Sequence, residues 1–142
     1  MLPSEPPCSR TFLRRPRILL VDDDPAVIRG LWRILRRHRP EYQVNTAANA
    51  AQALEALSEL SYDVVITDWQ MPGGGDAVLN ELRRFYPETG RIVHSSQVES
   101  SDPGRCRAAH VVLAKPARES EIVSGIELAL QRAASERQCA HA

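Results

Sequence analysis

Cysteine is scarce in this 142-residue chain: Cys8, Cys106 and Cys139 stand far apart and are odd in number. They offer neither a disulfide framework nor metal-ligand spacing, so a reduced compartment, the cytoplasm, is the simplest expectation. Net charge is missing too, because 18 Lys and Arg balance 18 Asp and Glu. No global field then steers the chain to nucleic acid or to an acidic membrane. No apolar run approaches the ~20 residues of a membrane-spanning helix. The N-terminus lacks a continuous apolar segment, which argues against a signal peptide. The length suits one domain with a full core.

What the sequence does contain is a set of short apolar runs that end on reactive residues. The central one is 64–66, β-branched throughout, which reads as a buried parallel strand. It ends on Asp68, and Pro72 with Gly73, Gly74 and Gly75 then forces a loop. Residues 18–21 end on Asp22-Asp23-Asp24, 91–94 on Ser95-Ser96, and 111–113 are followed by Lys115-Pro116. Taken singly these residues mean little: a lone Asp is most often a cap or turn former. His94, at a strand end, reads as packing.

Between the runs lie helix-length connections. Residues 1–15 read as a tail made basic by Arg10, Arg14 and Arg15. Asp24-Pro25 reads as N-cap and first position of a helix striped by Val27, Ile28, Leu31, Ile34 and Leu35. Arg29, Arg33, Arg36, Arg37 and Arg39 lie mostly off that stripe and read as a solvated face. Residues 42–47 alternate weakly, as an edge strand would. Ala50, Leu54, Leu57 and Leu60 mark a second helix, and Val78, Leu79, Leu82 and Phe85 a third, with Asp76 expected as its cap. A short helix near Pro103, capped by Asp102, is expected next, and Ile122 to Ala133 carry the last stripe. The domain should span 16–135, with 136–142 as a C-terminal tail.

Repeated β-α order demands parallel pairing through right-handed crossovers. The expected fold is α/β, a flavodoxin-like (βα)5 doubly wound five-stranded sheet in the order 2-1-3-4-5. Ligands of such sheets bind at the carboxyl edge of the strands. That edge would gather Asp22, Asp23, Asp68, Ser95 and Lys115. Two carboxylates about 4 Å apart repel by roughly 4 kcal/mol at an effective dielectric near 20, and three together would raise their pKa values or call in a cation. Hard oxygen ligands without His or Cys favour Mg2+ or Mn2+, and Mg2+ pairs a few carboxylates with phosphate oxygens. A carboxylate can serve as nucleophile and yield an acyl phosphate. No Gly-x-x-x-x-Gly-Lys-Ser/Thr loop is present, so a bound nucleotide is not the obvious donor.

Three stretches, Leu20-Val21-Asp22-Asp23-Asp24-Pro25, Asp63-Val64-Val65-Ile66-Thr67-Asp68-Trp69-Gln70-Met71-Pro72 and Lys115-Pro116, resemble the receiver domain of bacterial two-component response regulators. The resemblance covers about residues 17–134. It implies that Asp68 is the phosphoacceptor, charged from a sensor histidine kinase or phosphotransfer protein. It implies Mg2+ on Asp23 and Asp68, with Gln70 giving its backbone carbonyl and Asp22 acting through water. Ser95 would be the switch hydroxyl and Lys115 the phosphoryl-binding lysine. Residues 91–96 and 109–116 look most like receivers joined to HDOD or HD-GYP domains. Three features depart from the family pattern: Val112 stands where a switch aromatic is usual, Gly73-Gly74-Gly75-Asp76 replaces the usual loop, and the 95–115 stretch is short and contains Pro103-Gly104. The implied function is a phosphorelay switch of protein–protein interactions, with self-catalysed phosphoryl transfer as its only chemistry. A downstream protein or output domain and a homodimer are the implied partners; a DNA-binding domain and a membrane are not expected among them. The rivals are a degenerate receiver that binds without phosphorylation and a Mg2+-dependent aspartyl phosphatase built on Asp22-x-Asp24.

Overall fold

Five strands pair in one parallel sheet in the order β2-β1-β3-β4-β5. The computed structural model describes residues 15–71, 73–96 and 108–141. The strands are β1 (Arg17–Val21), β2 (Gln43–Ala47), β3 (Val64–Thr67), β4 (Gly90–Ser95) and β5 (Val111–Ala114). The described helices are α1 (Pro25–His38), α2 (Ala50–Glu59), α3 (Gly75–Phe85) and α4 (Glu119–His141). This is the expected doubly wound order. The short helix expected near Pro103, with its Asp102 cap, lies outside the described residues, as does the expected tail up to Arg14.

Side chains alternate across the sheet, so each strand feeds two cores. On one face Ile18, Leu20, Val64, Ile66 and Ile92 pack with Leu31 and Leu35 of α1 and with Ile122, Ile126 and Ala129 of α4. On the other Leu19, Val21 and Val65 pack with Ala50, Ala53 and Leu57 of α2 and with Val78 and Leu82 of α3. Burial on both faces explains why β1 and β3 are nearly unbroken apolar runs, whereas the equally buried β4 also carries Arg91, His94 and Ser95. The edge strand β2 is half exposed, and its sequence alternates only weakly.

Helix starts follow cap chemistry. Asp24 Oδ1 accepts from Ala26 N–H at 2.9 Å, with Pro25 at the first position of α1. Asn49 Oδ1 accepts from Gln52 N–H at 2.8 Å at the start of α2. The Asp76 cap is a correction: Gly74, at φ 79°, is the N-cap of α3. Asp76 sits in the first turn, where its charge still suits the helix dipole. The last helix also runs further than expected, to His141, into the stretch read as a tail. Residues 126–142 contain neither Gly nor Pro and are rich in Ala, Gln, Glu and Arg, so nothing local stops the helix. Among the described residues, no helix is long and apolar enough to cross a membrane.

Candidate functional site

The carboxyl edge of the sheet collects the expected residues because the strands are in register there. Val21 pairs with Thr67, and Thr67 with Val93, so Asp22, Asp68 and His94 follow in the next row. The row is held by backbone bonds: Asp22 N–H donates to Ala47 O at 3.1 Å, Asp68 N–H to Val21 O at 3.1 Å, and Lys115 N–H to Ser95 O at 3.0 Å.

Lys115 spans the site. Its Nζ donates to Asp22 Oδ2 at 2.7 Å and to Asp68 Oδ2 at 2.9 Å. The second oxygen of each carboxylate is held by backbone: Asp22 Oδ1 accepts from Asp24 N–H at 2.9 Å, and Asp68 Oδ1 from Gln70 N–H at 3.0 Å. Asp22 and Asp68 are buried, whereas Asp23 is exposed. Carboxylate oxygens of all three lie within 4.8 Å of one another. Ser95 is fully buried at the end of β4. Gln70, expected to contribute a carbonyl, is exposed and here engages Asp68 through its amide. Val112, on β5, is half-buried against Trp69, Leu79, Val93 and Ala108.

This arrangement sets the charge states. Burial is the largest influence on Lys115 and works against its charge. Its hydrogen bonds to Asp22 and Asp68, with their charges, outweigh burial and hold the ammonium above the usual lysine range. The lysine therefore stays cationic and offsets part of the repulsion between two desolvated carboxylates.

Sequence reading assigned His94 to packing and missed its electrical setting. The ring is 6% exposed, and neither nitrogen has a hydrogen-bond partner among the described residues. Burial, then the charge of Lys115, holds its imidazole below the usual histidine range. In the unfolded chain the ring protonates near its ordinary value of ~6.5. Below that pH the unfolded state binds the proton that the fold refuses. Stability therefore falls as pH drops below ~6.5, and stops falling once the folded ring also titrates, with a limiting slope of about 1.4 kcal/mol per pH unit. Urea midpoints of the wild type and His94→Leu between about pH 5 and 7 check this. The wild type should show a steeper loss towards acid; parallel curves would remove His94 as the cause.

Residues 18–127 match the family model of the response regulator receiver domain. The chain belongs to this family. Among its relatives is the transcriptional regulatory protein PrrA of Mycobacterium bovis, 33% identical over 128 residues, which are 88% of this chain and 54% of that protein. The transcriptional activator protein PfeR of Pseudomonas aeruginosa is 30% identical over 91% of this chain and 42% of its own. The chain thus spans about half the length of the curated relatives it matches. A solved receiver from an HD domain-containing protein of Pseudomonas fluorescens superposes with a TM-score of 0.75 at 28% identity, covering 86% of this chain and 99% of that one. Response regulator TrrA of Thermotoga maritima, solved in complex with Mg2+ and beryllofluoride, gives 0.74 at 28% identity, covering 81% and 99%. This receiver domain is therefore a part of two-component signal transduction, and the carboxyl-edge cluster is where its chemistry must be sought.

Proposed function

We propose that this receiver accepts a phosphoryl group on Asp68 from a phosphohistidine of a sensor histidine kinase or phosphotransfer protein, and switches protein–protein contacts in response. The observation that carries the reading is Lys115 bridging Asp22 and Asp68 inside a cluster of three carboxylates. The donor set fits Mg2+, since it is all hard oxygen with no His or Cys in the cluster. Asp23 and Asp68 would hold the ion, Gln70 would add its carbonyl, and Asp22 would act through water. When bound, Mg2+ supplies charge neutralisation for the phosphoryl oxygens. Asp68 supplies the nucleophilic oxygen. Lys115 already holds its ammonium against that carboxylate, and Ser95 carries the hydroxyl that answers the new oxygens.

Transfer onto Asp68 and its reversal by water are the only chemistry assigned. The reading places the domain in the cytoplasm, with an output protein or domain and a possible second copy as partners. The likeness to the receiver of an HD domain-containing protein supports the finer affinity with receivers joined to HDOD or HD-GYP domains. The phosphatase reading loses support because the Asp24 carboxylate is spent on capping α1.

The test is incubation with acetyl phosphate and Mg2+. The intact protein should gain one phosphoryl group, and chelation of the metal should prevent it; absence of any adduct rejects the reading. Metal titration makes a narrower check. Asp23→Ala should weaken Mg2+ binding about tenfold or more. The same change should raise the thermal midpoint of the metal-free protein, because one like charge leaves the cluster. Unchanged Mg2+ affinity would strip Asp23 of its ligand role.

A further inference from the structure

His94 stands beside the phosphoacceptor, on the same face of the sheet. Ile66 and Ile92 share one core, and Asp68 and His94 lie two residues beyond them on adjacent strands. Adjacent strands lie ~4.8 Å apart, so the two positions follow the Thr67–Val93 row across the strand gap, and the charge of Asp68 is felt at the ring. On the other side His94 pairs with Leu113, whose side chain belongs to the same core. Lys115, two residues further on, reaches back across this row to Asp68 and Asp22. His94 is thus enclosed between the acceptor carboxylate and the strand that delivers the lysine.

A buried polar ring without a partner is costly, and folded proteins satisfy nearly all such groups. The cost makes sense if another state of the domain supplies a partner. In the resting state Lys115 donates to Asp68 Oδ2 and Gln70 N–H to Oδ1, and neither ring nitrogen of His94 reaches a hydrogen-bond partner among the described residues. Phosphorylation changes this, because the new phosphoryl oxygens compete for the ammonium.

We propose that His94 is a positioning residue for the phosphorylated state: its ring N–H takes over the unesterified Asp68 carboxyl oxygen when Lys115 turns from it to the phosphoryl group. The inference rests on the phosphoacceptor reading. No proton or covalent bond changes hands, and one N–H···O contact replaces another. Burial and the nearby lysine keep the ring neutral, so it adds a donor without adding a charge. A neutral imidazole always carries one N–H, whichever tautomer it adopts.

The experiment is a beryllofluoride titration of the full chain with Mg2+, by calorimetry, for the wild type, His94→Leu and His94→Gln. Leu fills the space without a donor, and Gln restores a neutral N–H that does not titrate. His94→Leu should bind beryllofluoride about fivefold to tenfold more weakly, the worth of one buried neutral hydrogen bond. Its Mg2+ affinity should be unchanged, and its unliganded thermal midpoint should equal or exceed that of the wild type. His94→Gln should recover most of the lost affinity. Wild-type affinity in His94→Leu, or equal weakening by Leu and Gln, overturns the proposal and returns His94 to packing. A wild type that fails to bind beryllofluoride at all overturns the phosphoacceptor reading itself, and this inference with it.

Discussion

Asp68→Asn is expected to abolish acyl-phosphate formation while leaving the domain folded. The amide keeps the size and planarity of the carboxylate but lacks the anionic oxygen that attacks phosphorus. The fold should tolerate the change for an electrostatic reason. Lys115 keeps Asp22 as a partner at 2.7 Å, so the ammonium is not left alone in a buried place. Removing one of three clustered carboxylates also relieves repulsion, which favours an unchanged or higher thermal midpoint without metal. After treatment with a small phosphodonor and Mg2+, borohydride trapping should mark Asp68 in the wild type and nothing in the variant. Label that persists in Asp68→Asn, or that maps to Asp22 or Asp23, sinks the assignment.

Much of this site was readable because it depends on strand ends. A β-branched run such as 64–66 announces a strand doubly buried by helices, and helix-length links leave parallel pairing as the consistent solution. The carboxyl edge then follows from topology, before any side-chain contact is known. One further signal was present and strong: Lys115 is the one lysine among 18 basic residues. A compact ammonium with three rotatable donors can bridge two carboxylates in this way, whereas an Arg fork prefers to grip one.

Other features were out of reach for physical reasons. His94 looks like a strand-end packing residue because sequence does not show which charges lie in the next strand. Asp76 looks like a cap because Asp often is one, yet the Gly73-Gly74 turn starts α3 earlier. The end of α4 was placed too soon because its apolar stripe stops before its helix-forming composition does. The departure at Gly73-Gly74-Gly75-Asp76 was legible as a departure, but not as the close contact that it makes.

That contact gives the largest expected loss of stability, at Gly75→Ala. The turn after Asp68 is tight: Gly74 N–H donates to Met71 O at 2.8 Å and Gly75 N–H to Trp69 O at 3.2 Å. Gly73 and Gly74 take φ of 88° and 79°, which L side chains rarely adopt. Gly75 has ordinary backbone angles, and its constraint is space. A Cβ there would lie 2.2 Å from Trp69 Cα and 2.3 Å from Asp68 O. Both are backbone atoms, so no rotamer change can relieve the clash. Either α3 moves off the sheet, opening the core around Val78, Leu79 and Leu82, or the Asp68–Trp69 peptide swings and carries the acceptor carboxylate with it. The expected cost is about 3 kcal/mol or more, at the upper end for overpacking. Mg2+ affinity should fall too, because the clash is with the backbone of a proposed ligand. Gly30→Ala is the matched control. It lies on the exposed side of α1 with nothing within 4 Å of the added carbon, so helix propensity should raise stability by about 0.5–1 kcal/mol. Chemical denaturation of both variants separates the two cases. If Gly75→Ala unfolds at the wild-type midpoint and binds Mg2+ normally, the close approach of α3 to Asp68 does not hold the site in place.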